Sequence, residues 1–208
     1  MFRVTLTTAL LSLAACTAGV SDPEAGEDTS AETPLEDSAF DVADLQFLRE
    51  EEKLARDTYL TLYDIWGLNA HQNIARSEQS HMDQVLERLT ALGIEDPVVD
   101  DSVGAFVNEE LGALYQSLVA QGSASADEAL IVGATIEDLD IRDLEAMLGR
   151  SDDLETNAVY ETLWCGSRNH MRAFYGQLSN RGVSYSAQFI SEEELQSIVS
   201  TPQETCTE

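Results

Sequence analysis

Apolar side chains recur along this chain at alternating steps of three and four, the spacing that lines one face of an α-helix. From about Asp44 the stripe Leu45, Leu48, Glu52, Ala55, Tyr59, Leu62, Trp66 predicts a helix that stops at Gly67. A second stripe, Ile74, Glu78, His81, Val85, Leu89, Leu92, predicts a helix from about Ala70 to Leu92, ended by Gly93 with Pro97 beyond it. A long connection follows and carries a smaller amphipathic helix, Glu109 to Ala120, ending at Gly122. The third long stripe is Leu130, Gly133, Glu137, Ile141, Leu144, Leu148. Its helix starts after Ser123 or Ser125, either of which can cap it, and reaches Leu148 before Gly149. The fourth, Leu163, Ser167, His170, Phe174, Leu178, runs from about Asp152 or Asp153 to Asn180, with Gly182 as its stop. A short helix over Glu192 to Val199 closes the pattern before Pro202.

The fold class this predicts is all-α. Two short connections force antiparallel neighbours, while the long link between the second and third long helices lets those two run parallel. That is the single-crossover topology of a ferritin-like four-helix bundle, here with a short extra helix in the crossover.

Composition adds a location and a sign of charge. Met1-Phe2-Arg3 is a positive start, and Val4 to Ala15 form an apolar stretch too short to span a membrane as a mature helix. It ends Leu13-Ala14-Ala15-Cys16, which resembles the bacterial lipobox, where cleavage leaves the cysteine to carry lipid. The plainer alternative is a signal peptide followed by a chance cysteine. The boundaries expected are a leader over 1–15, an acidic disordered tether over 16–39, a helical domain over 40–200 and a tail over 201–208. The chain is then exported and lipid-anchored in the cell envelope. Such a compartment lets disulfides survive, so Cys165 and Cys206 either bridge the tail to a helix or stay as a buried small side chain and a tail thiol. With 11 Lys and Arg against 39 Asp and Glu, the formal charge of −28 excludes a phosphate-backbone binder and concentrates cations instead.

The apolar stripes themselves carry ionisable groups: Glu52 on the first, Glu78 and His81 on the second, Glu137 with Asp140 one step aside on the third, His170 on the fourth. An isolated carboxylate in a core is too costly to stay ionised, and several at one level repel one another or bind protons. A divalent cation removes both problems, and glutamate oxygen with histidine nitrogen suits iron, manganese or zinc. Singly, each residue has an ordinary reading. Glu52 belongs to the run Glu50-Glu51-Glu52, which reads as a solvated face, or it pairs with Arg56 one turn on. His170 alone reads as a hydrogen-bonded core histidine, and His71 at a helix start is read that way outright. Asp140 is a ligand, a partner that orients a histidine ring, or a surface acid. Tyr59 and Tyr160 are core aromatics or hydrogen-bond partners of ligands. The coincidence across four helices is what points to a metal.

Glu52-Lys53-Leu54-Ala55-Arg56-Asp57-Thr58-Tyr59 resembles the first-helix Glu-x-x-Ala-Arg-x-x-Tyr pattern of rubrerythrin-type ferritin-like proteins, and Glu78-Gln79-Ser80-His81 their second-helix Glu-x-x-His. Gly133-Ala134-Thr135-Ile136-Glu137 and His170-Met171-Arg172-Ala173-Phe174 are similar to the third- and fourth-helix segments. More narrowly, Glu50-Glu51-Glu52-Lys53-Leu54-Ala55-Arg56-Asp57, Ser77-Glu78-Gln79-Ser80-His81 and Gly166-Ser167-Arg168-Asn169-His170 together resemble an uncharacterised ferritin-like family of bacteria and archaea whose domain has no known function. The resemblance implies a metal-dependent oxidoreductase that takes iron and a small oxidant, oxygen or peroxide, and a lipid-tethered chain, poorly suited to a storage cage, is expected as a monomer or dimer. Two departures limit it. Ser167 stands where a fourth-helix glutamate is expected, and Ala134 where an extra glutamate is expected. The remaining set suffices for one metal with open positions or for an asymmetric pair. A non-catalytic envelope protein with a structural metal, or an acidic interaction module, are the other readings.

Overall fold

The computed structural model describes residues 35–206, with side chains from 42 onward. These residues form six helices: α1 (Leu35–Trp66), α2 (Asn69–Ala91), α3 (Glu109–Gly122), α4 (Ala126–Leu148), α5 (Leu154–Asn180) and α6 (Glu192–Val199). No strand occurs among the described residues. The leader, Cys16 and the first part of the expected tether lie outside them.

Local chemistry sets most of the helix ends. Gly67, Gly93 and Gly182 follow α1, α2 and α5 with φ of 64°, 70° and 72°, a left-handed turn that a side chain resists. Ser125 caps α4 by accepting from Glu128 N, and Asp153 caps α5 by accepting from Thr156 N. The start of α1 differs from expectation. It begins at Leu35 rather than near Asp44, so residues 35–39 are helical rather than part of the tether. Pro34 precedes this run and neither Gly nor Pro interrupts it up to Trp66, so a helix anchored further along propagates back at little cost.

Contacts fix the directions of the helices. Glu52 meets His81 while Arg56 meets Gln79, so α1 and α2 are antiparallel. Glu137 lies beside His170, and Gly133 beside Phe174, so α4 and α5 are antiparallel too. His71 near the start of α2 reaches Ala129 near the start of α4, and Val85 and Leu144 share a cluster further along both, so α2 and α4 run parallel.

The connection between α2 and α3 is strapped to the outer face of α1 by charge. Arg49 binds Asp96 through two nitrogens, and the Glu50 carboxylate accepts from Val107 N at 2.7 Å and Asn108 N at 3.1 Å. Lys53 is wholly buried, donates to Asp57 at 2.5 Å and to Ser102 O at 2.9 Å, and sits over the Phe106 ring. Arg56 binds Asp57, Asp101 and Gln79, and Gly104 N donates to Asp57. After α5, Asp138 gathers the return segment by accepting from Tyr185 Oη and from the N–H groups of Gln188 and Ile190. Cys165 and Cys206 form a disulfide that ties the tail to α5.

His71 is a core histidine. Its Nε2 donates to Ala129 O at 3.0 Å, and Tyr59 and Phe174 pack at its edges. Burial lowers its pKa to about 4, against which the Ala129 carbonyl works only partly. A folded-state value below the ordinary 6.5 means the unfolded chain takes up the proton first. Stability contributed by neutral His71 is therefore present above pH 6.5 and is lost as pH falls towards 4, by about 3 kcal/mol in all. Denaturant titrations of the protein and of His71→Gln should diverge in their pH slope across that window. Parallel slopes would contradict it.

Candidate metal centre

Two apolar clusters fill the interior, and on α1, α2 and α5 the polar residues of the stripe fall between them in sequence. One cluster takes Leu45 and Leu48 from α1, Val85 and Leu89 from α2, Leu144 and Met147 from α4, Tyr160 and Leu163 from α5. The other takes Leu54 to Leu62, Ile74, Leu130 to Ile141, and Met171 to Leu178. Between them in sequence lie Glu51 and Glu52, Glu78 and His81, and Ser167 and His170, while on α4 Glu137 and Asp140 are flanked by Ile136 and Ile141 of the second cluster; all are buried. Amphipathic periodicity thus delivers four polar steps to one level of a core that has excluded water.

Glu78 is the hub. Its Oε2 lies 2.8 Å from His81 Nδ1 and its Oε1 lies 2.9 Å from His170 Nδ1. His81 Nδ1 also approaches Glu52 Oε2 at 3.2 Å, and His170 Nδ1 approaches Glu137 Oε2 at 3.4 Å. Glu78, His81 and His170 can each offer a ligand atom such that all three atoms lie within 4.8 Å of one another. Both imidazoles turn Nδ1 inward and are held from behind. Ser77 Oγ sits 2.9 Å from His170 Nε2, and Tyr59 Oη donates to Glu137 Oε1 at 2.5 Å. The far edge of His81 rests against Gly166, where an added Cβ would stand 2.6 Å from Nε2.

That last contact explains a glycine inside a helix, which otherwise costs about 1 kcal/mol. Gly166→Ala should push the His81 ring off its position and lower affinity for a divalent metal about 10- to 100-fold, the range for removing support behind a ligand. Titration with Mn²⁺ reads this directly; an unchanged affinity would mean His81 is not held by that contact.

The electrostatics are those of an acid cluster balanced by two rings. Burial raises Glu52 to about 7 against the pull of His81, and burial likewise raises Glu137 to about 7 against His170. Burial would raise Glu78 also, but the charges of His170 and His81 outweigh it and hold its carboxyl far below the usual range. Burial works against protonation of His81, yet Glu52 and Glu78 overcome it and set its pKa at about 10; His170 is likewise raised, by Glu78 and Glu137. Asp140 is raised well above the carboxylate range by burial, then by Glu51, Glu52, Glu137 and Glu78.

Even so, Glu52 Oε1 is buried with no hydrogen-bond partner, and Glu78 Oε1 and Glu137 Oε2 both turn to the one nitrogen His170 Nδ1, at 2.9 Å and 3.4 Å. Buried polar atoms that face one another unsatisfied are costly, and a cation among them removes that cost. The donors, two imidazole nitrogens and up to three carboxylates, fit a divalent transition ion.

The structure brings together Glu52, Glu78, His81, Glu137 and His170. Asp140 is buried beside them, outside the tight trio, and is not a surface acid. Glu52 does not pair with Arg56, whose guanidinium turns to Asp57, Asp101 and Gln79. Glu50, Glu51 and Glu52 are buried throughout rather than forming a solvated face. Ser167 donates to Leu163 O. Glu51 is the residue that sequence reasoning missed, although three consecutive helical acids necessarily point about 100° apart and cannot share one solvated face.

Residues 41–202 match the family model of an uncharacterized protein domain (DUF2202), a span that includes every residue of this cluster. The chain is 53% identical over 157 residues to the uncharacterized protein MJ0754 of Methanocaldococcus jannaschii, covering 76% of this chain and 85% of that one. It also aligns with the crystal structure of the hypothetical protein MJ0754 from Methanococcus jannaschii DSM 2661, with a TM-score of 0.78 and 47% identity, over 86% of this chain and all of that one.

Proposed function

We propose that this chain, which belongs to the DUF2202 family, is a metal-binding protein of the cell envelope whose α1, α2, α4 and α5 make a ferritin-like four-helix bundle. The parallel pair α2 and α4, joined by the long strapped connection, supports the bundle reading. The single observation that carries the metal is the convergence of buried carboxylate and imidazole ligand atoms from all four of those helices at one level. Glu78, His81 and His170 would hold the ion, with Glu52 and Glu137 as further carboxylate donors. Iron is the first candidate; manganese and zinc suit the same donors.

Bound iron would supply one-electron exchange with oxygen or peroxide. The chain's own residues do the rest. Ser77 and Gly166 orient the two imidazoles, and Tyr59 keeps one oxygen of Glu137 occupied so that the other faces the centre. The apolar clusters on either side exclude water. Each metal bound must displace protons from His81 and His170, so affinity falls as pH falls. The activity proposed is oxidation of Fe²⁺ or reduction of oxygen or peroxide, with an external reductant. The leader and Cys16 would place the protein on a membrane surface as a lipoprotein, in monomeric or dimeric form.

The test is aerobic addition of Fe²⁺ to the purified protein after its bound metal has been measured. Stoichiometric iron uptake with growth of near-ultraviolet absorbance is expected; no metal of any kind after reconstitution would overturn the proposal. One observation favours a second reading, a structural or sensory ion without turnover. Ser167 offers no carboxylate from α5, so the donor set is lopsided. Stoichiometric zinc with no response to Fe²⁺ would select it.

A further inference from the structure

The chain that follows α6 lies on the outside of α5, against the same turns that face the proposed metal centre. Inward, Gly166 supports the His81 ring and His170 turns Nδ1 to Glu78. Outward, Cys165, Arg168, Asn169 and Arg172 all grip the segment 201–206. Cys165 is bonded to Cys206. Arg168 binds both oxygens of the Glu204 carboxylate and stacks on Trp164, its guanidinium carbon 3.9 Å from the ring centre. Asn169 donates to Glu204 O at 3.0 Å, accepts from Glu204 N at 2.8 Å and reaches Cys206 Sγ at 3.3 Å. Arg172 donates to the Glu204 carboxylate, to Thr201 Oγ1 and to Ile198 O. The two faces share neighbours: Gly166 follows Cys165, and His170 follows Asn169.

Ligands must be held to within about 0.5 Å of their working geometry by the contacts behind them. Apolar packing is non-directional and sets where α5 lies. Directional hydrogen bonds and a covalent link on its outer face set how far it is rolled about its axis. A roll carries Gly166 and His170 away from the centre together. The disulfide decides whether that outer face stays gripped. In the ion pairs to Glu204, the side chains of Arg168, Arg172 and Glu204 are 15%, 12% and 34% exposed. Such pairs hold little against the entropy of ordering a chain end. The bridge removes much of that entropy by closing a loop over a sequence separation of 41. The helix α6 keeps its own apolar anchor through Leu195 and Ile198. Opening the bridge therefore frees 201–206 and leaves the rest of the fold in place.

We infer that the Cys165–Cys206 bridge is a redox latch on the metal centre, opened by a dithiol reductant. Closed, it fixes the roll of α5 and holds Gly166 and His170 at the centre. Opened, it releases 201–206 and weakens metal binding. The exchange balances within the pair. The dithiol gives up two electrons and two protons and becomes a disulfide, while the Sγ–Sγ bond breaks into two thiols. Cys206 is the sulfur within reach, because Cys165 is buried and Cys206 lies half-buried on the tail. This inference rests on the metal-binding reading above and adds its regulation.

Titration of the purified full-length protein with Mn²⁺, read by the paramagnetic resonance of free Mn²⁺, tests the latch. Treatment with dithiothreitol, followed by its removal without air, should weaken binding about tenfold, the lower end of the range for losing support behind a ligand. Reoxidation should restore the parent affinity. Cys206→Ser should bind at the weakened value with or without the dithiol, its helix content by circular dichroism unchanged. Amide hydrogen exchange over 201–206 should quicken in the reduced protein and in the variant alike. Equal affinity in the bridged protein, the reduced protein and Cys206→Ser overturns the inference and leaves the metal centre standing. A bridge that dithiothreitol leaves intact overturns it as well. So does a loss of helix content alongside the loss of affinity, because the bridge then only holds the fold. No Mn²⁺ bound by the bridged protein removes both readings together.

Discussion

Glu78→Gln is expected to abolish tight metal binding, lowering affinity by about a hundredfold or more, while the helices remain folded. Removing support behind a ligand already costs about 10- to 100-fold, and Glu78 is itself the proposed ligand that touches both rings. The substitution keeps the shape and removes the charge. Its effect on the metal-free protein separates it from its neighbours. Glu78 is the carboxylate that the two rings hold ionised, so glutamine leaves His81 and His170 without their shared counter-charge. The rings can respond by losing protons, which limits the cost to that of poorly satisfied buried polar groups, about 1–3 kcal/mol. Glu137 is held towards its neutral form by burial, so Glu137→Gln should lose metal yet leave metal-free stability nearly unchanged. Metal content and denaturant midpoints on the two variants read both effects. Full metal content in Glu78→Gln would place the site elsewhere.

The largest loss of stability is expected from Asp57→Ala. Asp57 is wholly buried and accepts from Lys53, from Arg56 through two nitrogens and from the backbone N–H of Gly104. Removing it leaves a buried ammonium with only the Ser102 carbonyl and the Phe106 ring, and frees the loop that Gly104 anchors. Breaking one side of a buried ion pair costs about 3–5 kcal/mol. For a domain of this size each kcal/mol lowers the melting midpoint by about 2–4 °C, so a fall on the order of 10 °C is expected. Lys53→Met should cost less, because Asp57 keeps Arg56 and Gly104. Thermal unfolding followed by circular dichroism compares the two. An Asp57→Ala protein melting within about 2 °C of the parent, less than 1 kcal/mol on that scale, would show that the strap carries little of the stability.

Both results bear on one stretch of α1. In Arg49 to Asp57 the residues alternate in purpose around the helix. Glu51 and Glu52 turn inward to the carboxyl–imidazole layer, while Arg49, Glu50, Lys53, Arg56 and Asp57 turn outward to the 92–108 connection. A one-dimensional reading assigns these charges to solvent or to pairs four residues apart, because those are the partners visible along a helix. Lys53 with Asp57 is such a pair, but its burial comes from a loop about fifty residues on. Nothing in the local sequence announces that cover.

What the sequence by itself determined is the set of helices, their stops and the level at which their polar steps occur. Gly67, Gly93 and Gly182 end helices because backbone sterics there are local, and the three-and-four stripes choose the buried face because apolar area must leave water. Glu52, Glu78, His81, Glu137 and His170 could be named because each interrupts a stripe. Only the tertiary structure decided which of their atoms meet, that Glu51 and Asp140 are buried with unsatisfied oxygens, and that Arg56 belongs to Asp57 and Asp101 rather than to Glu52. It likewise joined Cys165 to Cys206, which sequence left open. The division has one physical cause. Helix caps and periodicity are settled within a few residues, whereas burial of a charge depends on what the rest of the chain lays over it.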